Sequence, residues 1–397
     1  MEQYKRIKLQ PKKEQSLKRF HPWVFSGAIA MMDDNIMEGD VVEVFAHDDT
    51  FLGVGHYQIG SITVRVISFQ KRSIDTDFFK ERLQEAYNMR CALQLVREDN
   101  TTYRLVHGEG DMLAGLIIDI YGKLAVVQAH SVGMHISKEM ITKALKKVMN
   151  ESLQYVYYKS ESTLPFKAPI NPYDSFLLGG PDVEKIAIEN NLKFQIDWEK
   201  GQKTGFFVDQ RENRTLLESY SRGRNVLNMF CYTGGFSVYA LRGGAQSVTG
   251  VDSSLKAVML ADENVKLNFG DDARYSSFSD DAFKFLRDVP KDKYDLIVLD
   301  PPAFAKHRGA VRNALQGYKK LNAVAFEKVT NGGIIFTFSC SQVISREQFR
   351  LAVFSAAAIS GRKVKILAQL SQPADHPINI YHPEGEYLKG LVLFISD

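Results

Sequence analysis

Residues 225–252, NVLNMFCYTGGFSVYALRGGAQSVTGVD, carry the pattern that decides the fold. The stretch opens with one apolar run, NVLNMF, and closes with a second, SVTGVD. A turn of small residues and a segment of helical length lie between them. Two short apolar strands joined by a helix run parallel, because a crossover is needed to bring the second strand alongside the first. The stretch is therefore predicted to be a βαβ unit.

The same alternation continues to the carboxyl end of the chain. Further strands are predicted at 274–278, 294–300 and 332–339, followed by KVKIL and by a last strand in LKGLVLFIS. Helical segments fill the gaps between them. Buried apolar strands that alternate with helices are typical of a doubly wound parallel sheet. We predict an α/β, Rossmann-like domain with a mostly parallel, seven-stranded sheet.

Two other patterns precede this domain. Residues 1–72 contain short alternating strands, such as GDVVEVF and ITVRV, which favour a small β-barrel. Residues 73–195 contain a helix from about 75 to 95, a hairpin with the turn YGK, a second helix and the strand QYVYYKS, which together favour a compact α+β domain. The α/β domain then occupies residues 196–397. Cys91 lies on the apolar face of the first helix and is predicted to be a core residue.

The distribution of charge points to one class of partner. The net charge is only +3, but residues 1–20 contain seven Lys or Arg against two Glu. This basic segment, followed by His21 and Trp23, suits a nucleic-acid backbone. A solvated terminal segment is the alternative explanation. No apolar run approaches the roughly 18 residues of a membrane span, and the first residues lack the core of a signal peptide.

Cysteine and histidine usage argues against a metal and against disulfide bonds. The three cysteines are far apart and show no C-x-x-C pair, which favours a reducing compartment. His376 and His382 each precede a proline, but no third ligand has a suitable spacing, so both are predicted to be loop residues. We expect a cytoplasmic protein with no metal and no membrane segment. The oligomeric state is left open, and a homodimer is one state that the sequence allows.

Four predicted strand ends carry polar residues, and ligands of open α/β sheets bind beyond the carboxyl ends of the strands. The loop CYTGGFS follows the first strand, and its small residues let backbone N–H groups approach a ligand at a helix N-terminus. An acid follows the second strand, 18 residues after Gly234, a spacing typical of a carboxylate that accepts ribose hydroxyls. Together the four ends predict an adenosine cofactor. Its expected contacts in these loops are Cys231, Tyr232, Thr233, Gly234, Asp252, Asp281 and Asp300.

The glycine pattern and the run DPPAF (300–304) distinguish between adenosine cofactors. The chain has neither G-x-G-x-x-G in this loop nor a Walker G-K-[ST] motif, which disfavours a dinucleotide or a nucleoside triphosphate. A rigid Pro-Pro backbone beside an aromatic residue can form a slot for a planar base. S-adenosylmethionine is therefore the predicted cofactor, and Pro301, Pro302 and Phe304 are predicted to contact the substrate base.

Five motifs together resemble the RlmI-type family of class I RNA methyltransferases. They are GQKTGFFVDQRENR (201–214), FCYTGGFS, DPPAF, FSCS and HPEGEYLKG (382–390). The resemblance covers the whole chain. It implies an N-terminal PUA RNA-binding domain, a central α+β domain and a methyltransferase domain that modifies C5 of a cytosine in large-subunit ribosomal RNA. It also implies that the methionine end of the cofactor pocket is shaped by Lys203, Phe206, Phe207 and Asp209, although the residues alone favour a simple strand-turn-helix entry.

Methylation at carbon 5 gives Cys340 a chemical role. C5 of a pyrimidine becomes nucleophilic only when a group adds at C6, and a thiolate suits that addition. Cys340 lies in FTFSCS (336–341), where the predicted strand gives way to polar residues. With the resemblance, it is predicted to attack C6, while Asp300 contacts the N3/N4 edge of the base. The alternative for Cys340 is a small buried strand residue. The base that removes the C5 proton is unassigned, with Glu384 and Glu386 as candidates.

Other functions stay open at this point. Methyl transfer to a guanine nitrogen, N7 or N2, needs only a lone pair and would use the same fold without a cysteine. A non-catalytic RNA-binding factor of ribosome assembly would use the β-barrel and keep a vestigial pocket. A nicotinamide oxidoreductase is disfavoured by the glycine pattern.

Overall fold

The computed structural model describes residues 4–165, 170 and 172–397. The chain forms two compact units, each built from segments that are distant in sequence. The first unit comprises Met1–Asn191, Ile196–Val208 and Ala374–Gly385. The second comprises Leu192–Gln195, Asp209–Pro373 and Glu386–Asp397. The division into three domains expected from the sequence, 1–72, 73–195 and 196–397, stays a prediction.

The first unit contains two sheets and the helices that belong to them. Its strands and helices are β1 (Lys5–Leu9), α1 (Gln15–Lys18), β2 (Trp23–Phe25), β3 (Ile29–Met32), β4 (Val41–Phe45), β5 (Phe51–Tyr57), β6 (Ile62–Ser68), α2 (Thr76–Ala92), β7 (Thr102–His107), β8 (Leu116–Tyr121), β9 (Leu124–Ala129), α3 (Val132–Ile136), α4 (Lys138–Met149), β10 (Tyr155–Tyr158), β11 (Ser175–Leu178) and β12 (Ile186–Glu189).

The first sheet has six strands in the order β2-β6-β5-β4-β1-β3 and corresponds to the predicted β-barrel region. Its neighbours run antiparallel except for β1 and β4, which are parallel. Because successive side chains of a strand point to opposite faces, residues two apart share a face. Val42 and Val44, and likewise Val64 and Val66, are fully buried in one apolar cluster. The alternation seen in the sequence is therefore the inward face of this sheet.

The second sheet has five strands in the order β11-β10-β9-β8-β7. The predicted hairpin is confirmed, since β8 and β9 pair antiparallel up to Tyr121 and Leu124 on either side of the turn. Apolar side chains of α2 and α4, among them Leu83 and Leu145, share one buried cluster with residues of these strands. The region is an α+β arrangement, as the sequence predicts.

The prediction that Cys91 is a core residue is wrong, since Cys91 is exposed. The buried side of α2 is formed by Phe79, Leu83, Ala86 and Arg90. At about 100° per residue, three steps of four residues carry position 91 about 120° around the helix from position 79. A strict i+4 series therefore leaves the buried face.

The second unit contains the α/β region. Its strands and helices are β13 (Leu192–Gln195), α5 (Arg211–Tyr220), β14 (Asn225–Met229), α6 (Gly235–Arg242), β15 (Ser247–Asp252), α7 (Leu255–Phe269), β16 (Tyr275–Ser279), α8 (Ala282–Asp288), β17 (Tyr294–Leu299), α9 (Val311–Lys328), β18 (Val329–Ser339), α10 (Arg346–Ser360), β19 (Lys363–Leu370) and β20 (Lys389–Ser396). Within the stretches that the structure describes, no helix is long and apolar enough to cross a membrane.

The sheet of this unit has seven strands in the order β16-β15-β14-β17-β18-β20-β19. The strands β14 to β18 are mutually parallel, and β20 is antiparallel to both of its neighbours. The predicted mostly parallel, seven-stranded sheet is therefore confirmed. Residues of β14, β17 and β18 pack with α9 and α10 in one buried apolar cluster.

The order of the strands also locates the ligand crevice. From β14 the chain runs outward through β15 to β16, and then returns to place β17 and β18 on the other side of β14. In such sheets the ligand binds beyond the carboxyl ends of the strands where the direction of winding changes. That point is between β14 and β17, where Met229 pairs with Leu299.

Candidate active site

The loop between β14 and α6 has a fixed and unusual backbone path. Tyr232 has φ +46° and Gly234, the residue that precedes α6, has φ +76°. A Cβ atom on Gly234 would lie 2.8 Å from Cβ of Ala261, so only glycine fits here. The Asn264 side chain donates to the carbonyl of Thr233 at 2.9 Å and ties the loop to α7. The helix N-terminus is thus held at the crevice.

Asp252 ends β15 with a carboxylate whose orientation is set by backbone groups. Its Oδ2 accepts from the Tyr232 N–H at 3.0 Å, and its Oδ1 accepts from the Ser254 N–H at 2.9 Å. Each carboxylate oxygen has two acceptor sites, so each keeps capacity for a further donor. Two ribose hydroxyls are donors of that kind. Asp252 therefore has the geometry expected of the ribose acceptor.

The acidic residues after β16 have structural roles in this structure. Asp281 caps α8, since its Oδ1 accepts from the Lys284 N–H at 2.8 Å. Asp280 Oδ1 accepts from the Asp281 N–H at 2.8 Å, and the Asp280 N–H donates to the Asp252 carbonyl at 3.1 Å. This strand end is thereby tied to that of β15. Recognition of adenine by Asp281 stays a prediction.

Cys231 has a buried thiol that lies close to Gly250 of β15. It is 6% exposed, and a Cβ atom on Gly250 would come within 3.4 Å of its Sγ. Burial, with the nearby charge of Asp252 in support, raises the pKa of the Cys231 thiol well above its ordinary value. A thiol that stays protonated is a packing group and not a nucleophile.

Asp300 follows β17 and is oriented by a buried amide pair. Its Oδ2 accepts from Gln210 Nε2 at 3.0 Å, and Gln210 Oε1 in turn accepts from Asn213 Nδ2 at 2.6 Å. Gln210 and Asn213 are 3% and 4% exposed. Sequence reasoning missed both amides, although they lie in the quoted run VDQREN. The chain Asn213–Gln210–Asp300 gives the carboxylate a defined direction.

The remaining residues expected at the methionine end fall in different units. Asp209 belongs to the second unit, where its Oδ2 accepts from the Tyr387 hydroxyl at 2.7 Å. Lys203, Phe206 and Phe207 belong to the Ile196–Val208 segment of the first unit. There the Lys203 ammonium lies 4.9 Å from the centre of the Phe207 ring. A joint cofactor role for these four residues stays a prediction.

The DPPAF loop is anchored to α9 by its aromatic residue. The ring centre of Phe304 lies 4.6 Å from that of Tyr318, and a Cβ atom on Gly317 would be 3.0 Å from Phe304 Cδ2. Pro301 is buried, whereas Pro302 is exposed. The Phe304 ring is thus partly used in packing, and contact of Pro301, Pro302 and Phe304 with a substrate base stays a prediction.

Cys340 comes directly after β18, on the strand next to the one that carries DPPAF. It is half-buried, and its Sγ lies 3.9 Å from the carbonyl oxygen of Pro301. The register of β17 and β18, with Leu299 opposite Thr337, explains the proximity. The two motifs that sequence reasoning connected by chemistry are therefore adjacent in space.

A buried hydroxyl network holds the residues on either side of Cys340. Ser339 Oγ donates to the Tyr318 hydroxyl at 2.9 Å, and Tyr318 and Ser341 share a hydrogen bond of 3.1 Å. Ser341 Oγ also accepts from the Ala305 N–H at 3.3 Å. Burial raises the pKa of Tyr318, so its hydroxyl stays protonated and able to donate. The network fixes the turn that presents the cysteine.

Lys389 is a residue of this site that sequence reasoning missed. It is opposite Ser339 in the pairing of β18 and β20, is 2% exposed, and its Nζ donates to the Ser341 carbonyl at 2.7 Å. Burial lowers the pKa of Lys389 to about 8, while negative charge at Cys340 acts to raise it. The available signal was a lysine at the start of an otherwise apolar strand, LKGLVLFIS.

The two glutamates suggested as the proton-removing base are both occupied by other groups. Glu386 Oε1 accepts from Nε of Arg346 at 3.1 Å within the second unit. Glu384 belongs to the first unit and lies beside His21 and His382. Neither arrangement favours a general base, so this role stays unassigned.

Comparison with known proteins agrees with this geometry. Residues 171–379 match the model of an S-adenosylmethionine-dependent methyltransferase family, and residues 7–69 match that of a PUA-like domain. The predicted fold class and the predicted cofactor, S-adenosylmethionine, are thereby confirmed. Contact of the Asp252 carboxylate with the ribose, and of the loop before α6 with the rest of the cofactor, stays a prediction.

A solved structure with a high likeness is described as a SAM-dependent methyltransferase from Streptococcus mutans. It has a TM-score of 0.82 and 24% sequence identity, over 98% of this chain and 99% of that chain. Another solved chain with the same values is described as a methyltransferase complexed with SAH. At this identity the likeness concerns the fold.

Two sequence relatives share the full length of the chain. The ribosomal RNA large subunit methyltransferase I of Aeromonas hydrophila subsp. hydrophila is 41% identical over 96% of this chain and 97% of its own. The protein of the same name from Alteromonas mediterranea is 40% identical over 98% of both chains. The chain therefore belongs to the family of S-adenosylmethionine-dependent methyltransferases that contains the ribosomal RNA large subunit methyltransferase I proteins.

Proposed function

We propose that the protein transfers a methyl group from S-adenosylmethionine to C5 of a cytosine in large-subunit ribosomal RNA, through a covalent adduct with Cys340. The observation that carries this proposal is the position of the cysteine. Cys340 is half-buried and directly follows the strand next to the one that precedes Asp300, and its Sγ lies 3.9 Å from the Pro301 carbonyl oxygen. The names of the full-length relatives support ribosomal RNA as the substrate.

The chemistry requires the sulfur to add before the methyl group moves. The Cys340 thiolate forms a bond to C6, and the electron pair of the C5–C6 double bond makes C5 nucleophilic. Bound S-adenosylmethionine would supply an electrophilic methyl group on a sulfonium, with S-adenosylhomocysteine as the leaving group. A base removes the C5 proton after transfer, the C5–C6 double bond re-forms, and the thiolate leaves.

Lys389 and Asp300 support this step from two sides. The buried Lys389 ammonium donates to the carbonyl of Ser341, the residue after Cys340, at 2.7 Å, and its positive charge favours the thiolate form of the cysteine. Asp300, oriented by Gln210, accepts from the amino group on the N3/N4 edge of the base. Cys231 is disfavoured as the nucleophile, because its side chain is buried and burial raises the pKa of its thiol.

The substrate must present the cytosine outside a stacked helix. Attack on C6 comes from above the plane of the ring, which stacking neighbours cover in a duplex. Protein recognition of RNA sequence mostly targets single-stranded loops and bulges for the same reason. We therefore expect the target cytosine to lie in such a region of the ribosomal RNA or to be flipped out.

Two experiments on the cysteine test the proposal. Purified wild-type, Cys340→Ala and Cys91→Ala proteins are incubated with unmodified ribosomal RNA and labelled S-adenosylmethionine, and modified nucleosides are identified by mass spectrometry. We expect 5-methylcytidine with the wild type and with Cys91→Ala, whose exposed cysteine is remote in sequence, and none with Cys340→Ala. RNA with 5-fluorocytidine at the target should stay covalently attached to the wild type and to Cys91→Ala but not to Cys340→Ala, because fluorine at C5 blocks the final proton removal.

The outcomes separate the alternatives. Undiminished methylation by Cys340→Ala would overturn the C5 mechanism, and methylguanosine as the product would identify a guanine-N7 or guanine-N2 enzyme. A protein that binds ribosomal RNA but no S-adenosylmethionine in calorimetry would instead be a non-catalytic assembly factor.

A further inference from the structure

Three side chains from distant parts of the sequence meet in the first unit. His21 comes just before β2, whereas His382 and Glu384 lie in the Ala374–Gly385 segment. Nε2 of His21 is 3.4 Å from Oε2 of Glu384, and Nε2 of His382 is 3.8 Å from the same oxygen. One ligand atom from each residue lies within 4.8 Å of the other two. Two imidazoles and a carboxylate thus converge on one point.

His382 has no hydrogen bond that explains its burial. His382 is 3% exposed, and neither of its ring nitrogens has a hydrogen-bond partner among the described residues. A buried polar group without a partner calls for an explanation, of which an ion is one. A neutral imidazole offers a ring-nitrogen lone pair to a metal ion.

The Trp23 side chain packs against the His382 ring. The Trp23 ring is edge-on to it, with the two ring centres 4.3 Å apart. Trp23 Nε1 in turn donates to Glu109 Oε1 at 2.8 Å, which sets the orientation of the indole. Groups of this kind, which fix the direction of a ligand side chain, are a regular part of metal sites.

We propose that His21, His382 and Glu384 bind one zinc ion, with water as the fourth ligand. Two imidazoles and one carboxylate are a set that binds zinc, whereas Mg²⁺ and Ca²⁺ prefer oxygen ligands alone. Tetrahedral zinc with ligands at about 2.0–2.2 Å places pairs of ligand atoms about 3.3 Å apart. The distances of 3.4 and 3.8 Å are close to that value, and the widest pair, within 4.8 Å, closes by up to about 1.5 Å.

Zinc at Nε2 of His21 has one consequence for a neighbouring contact. The Trp23 N–H donates to Nδ1 of His21 at 3.2 Å, which is long for such a bond. Coordination at Nε2 uses that nitrogen's lone pair, so the ring proton moves to Nδ1. The contact with Trp23 is then lost, and Nδ1 becomes a donor.

The site would join two segments that are 361 residues apart in sequence. A ligand that binds only the folded form stabilises it, so zinc should raise the melting temperature of the protein. Its three ligands lie in the first unit, whereas Cys340 lies in the second, so zinc binding and methyl transfer are measured on different residues.

The experiment uses the untagged, full-length protein after removal of metals with a chelator. Zn²⁺ is titrated against a competing chelator, bound metal is counted by mass spectrometry, and Co²⁺ is added separately as an absorbing probe. We expect one zinc per chain, a visible Co²⁺ band and a higher melting temperature. Glu384→Gln and His21→Ala, at partly exposed side chains, should weaken zinc binding at least about tenfold, since even outer partners of a metal site contribute that much.

His47→Ala is the matched control, because His47 is exposed and lies outside the cluster. It should bind zinc as the wild type does. The proposal is wrong if the wild type holds no stoichiometric zinc, or if Glu384→Gln and His21→Ala bind it as tightly as the wild type. The melting temperatures of the metal-free variants show whether each one is folded, so a folding defect is not mistaken for loss of a ligand.

Discussion

Replacing Lys389 with methionine is expected to slow methyl transfer without weakening cofactor binding. Methionine keeps most of the length of the side chain but removes the charge and the hydrogen bond of 2.7 Å to the Ser341 carbonyl. That bond is buried, since Lys389 is only 2% exposed. The carbonyl belongs to the residue after Cys340, so the change acts on both the position and the charge environment of the sulfur.

The size of the effect follows from the kind of bond that is lost. A hydrogen bond to a charged group contributes about 1.5–3 kcal/mol, and about 1.4 kcal/mol corresponds to a tenfold change in rate. We therefore expect kcat at pH 7 to fall roughly 10- to 150-fold. The dissociation constant for S-adenosylmethionine, measured by calorimetry, should change by less than about twofold, because the side chain of Lys389 donates to the Ser341 carbonyl, which lies outside the β14–α6 loop.

The dependence on pH gives a second readout. Burial lowers the pKa of Lys389 to about 8, so the ammonium is present below that pH and is lost as the pH rises through it. The kcat of the wild type should therefore fall above about pH 8, and Lys389→Met should lack this alkaline limb. Between about 8 and the ordinary value of 10.5, the unfolded chain binds the extra proton, so this group makes the free energy of unfolding rise with pH.

A matched control is available in the same unit. Lys328 Nζ also donates to a backbone carbonyl at 2.7 Å, that of Val289, but it lies at the opposite end of β18 from Cys340. Lys328→Met should keep kcat and the alkaline limb. The reasoning is refuted if Lys389→Met retains both the rate and the pH profile of the wild type while binding S-adenosylmethionine normally.

Three further substitutions test the rest of the site. Gly234→Ala places a Cβ atom 2.8 Å from Cβ of Ala261 at a residue with φ +76°. We expect the free energy of unfolding in urea to fall by about 1–2 kcal/mol and cofactor binding to weaken. If neither value changes, the claim that this position requires glycine is wrong. Asp252→Asn removes charge from the ribose acceptor and should weaken S-adenosylmethionine about 10- to 100-fold in calorimetry, whereas equal affinity would exclude that role. Tyr318→Phe removes the hydroxyl that joins Ser339 to Ser341 and should reduce both stability, by about 1–3 kcal/mol, and the rate at Cys340; normal values for both would show that the network is dispensable.

Much of the fold could be predicted because its cause is local. Parallel strands that are covered on both faces must be apolar along their length, and helices must fill the gaps between them. The runs at 225–230 and 332–339 carry that signature without any tertiary information. Cys91 shows the limit of the same reasoning. A step of four residues is slightly more than one helical turn, so a series of such steps moves gradually away from the buried face.

The residues at the strand ends could be predicted from the rule that ligands bind at the carboxyl ends of parallel strands. Their hydrogen-bond partners could not be predicted in this way. Asp252, Asp300 and Cys340 follow strands whose carboxyl ends meet at one edge of the sheet. Gln210 and Lys389 act through contacts with residues 90 and 48 positions away. No spacing rule links such pairs, because the intervening chain forms several complete elements.

By itself, the sequence determined the α/β class, the seven-stranded sheet, the cofactor and the cysteine whose chemistry defines the proposed reaction. The fold class follows from periodicity, the cofactor from motifs of a few neighbouring residues, and the role of the cysteine from those motifs together with the resemblance to a known family. Only the tertiary structure decided that Cys231 is buried, that Lys389 donates to the carbonyl of the residue after Cys340, and that His382 meets His21 and Glu384. The physical reason is that burial and contacts between distant residues arise only when the chain packs. The expectation that the protein binds no metal was drawn from spacing along the sequence, and such spacing does not detect side chains that folding brings together.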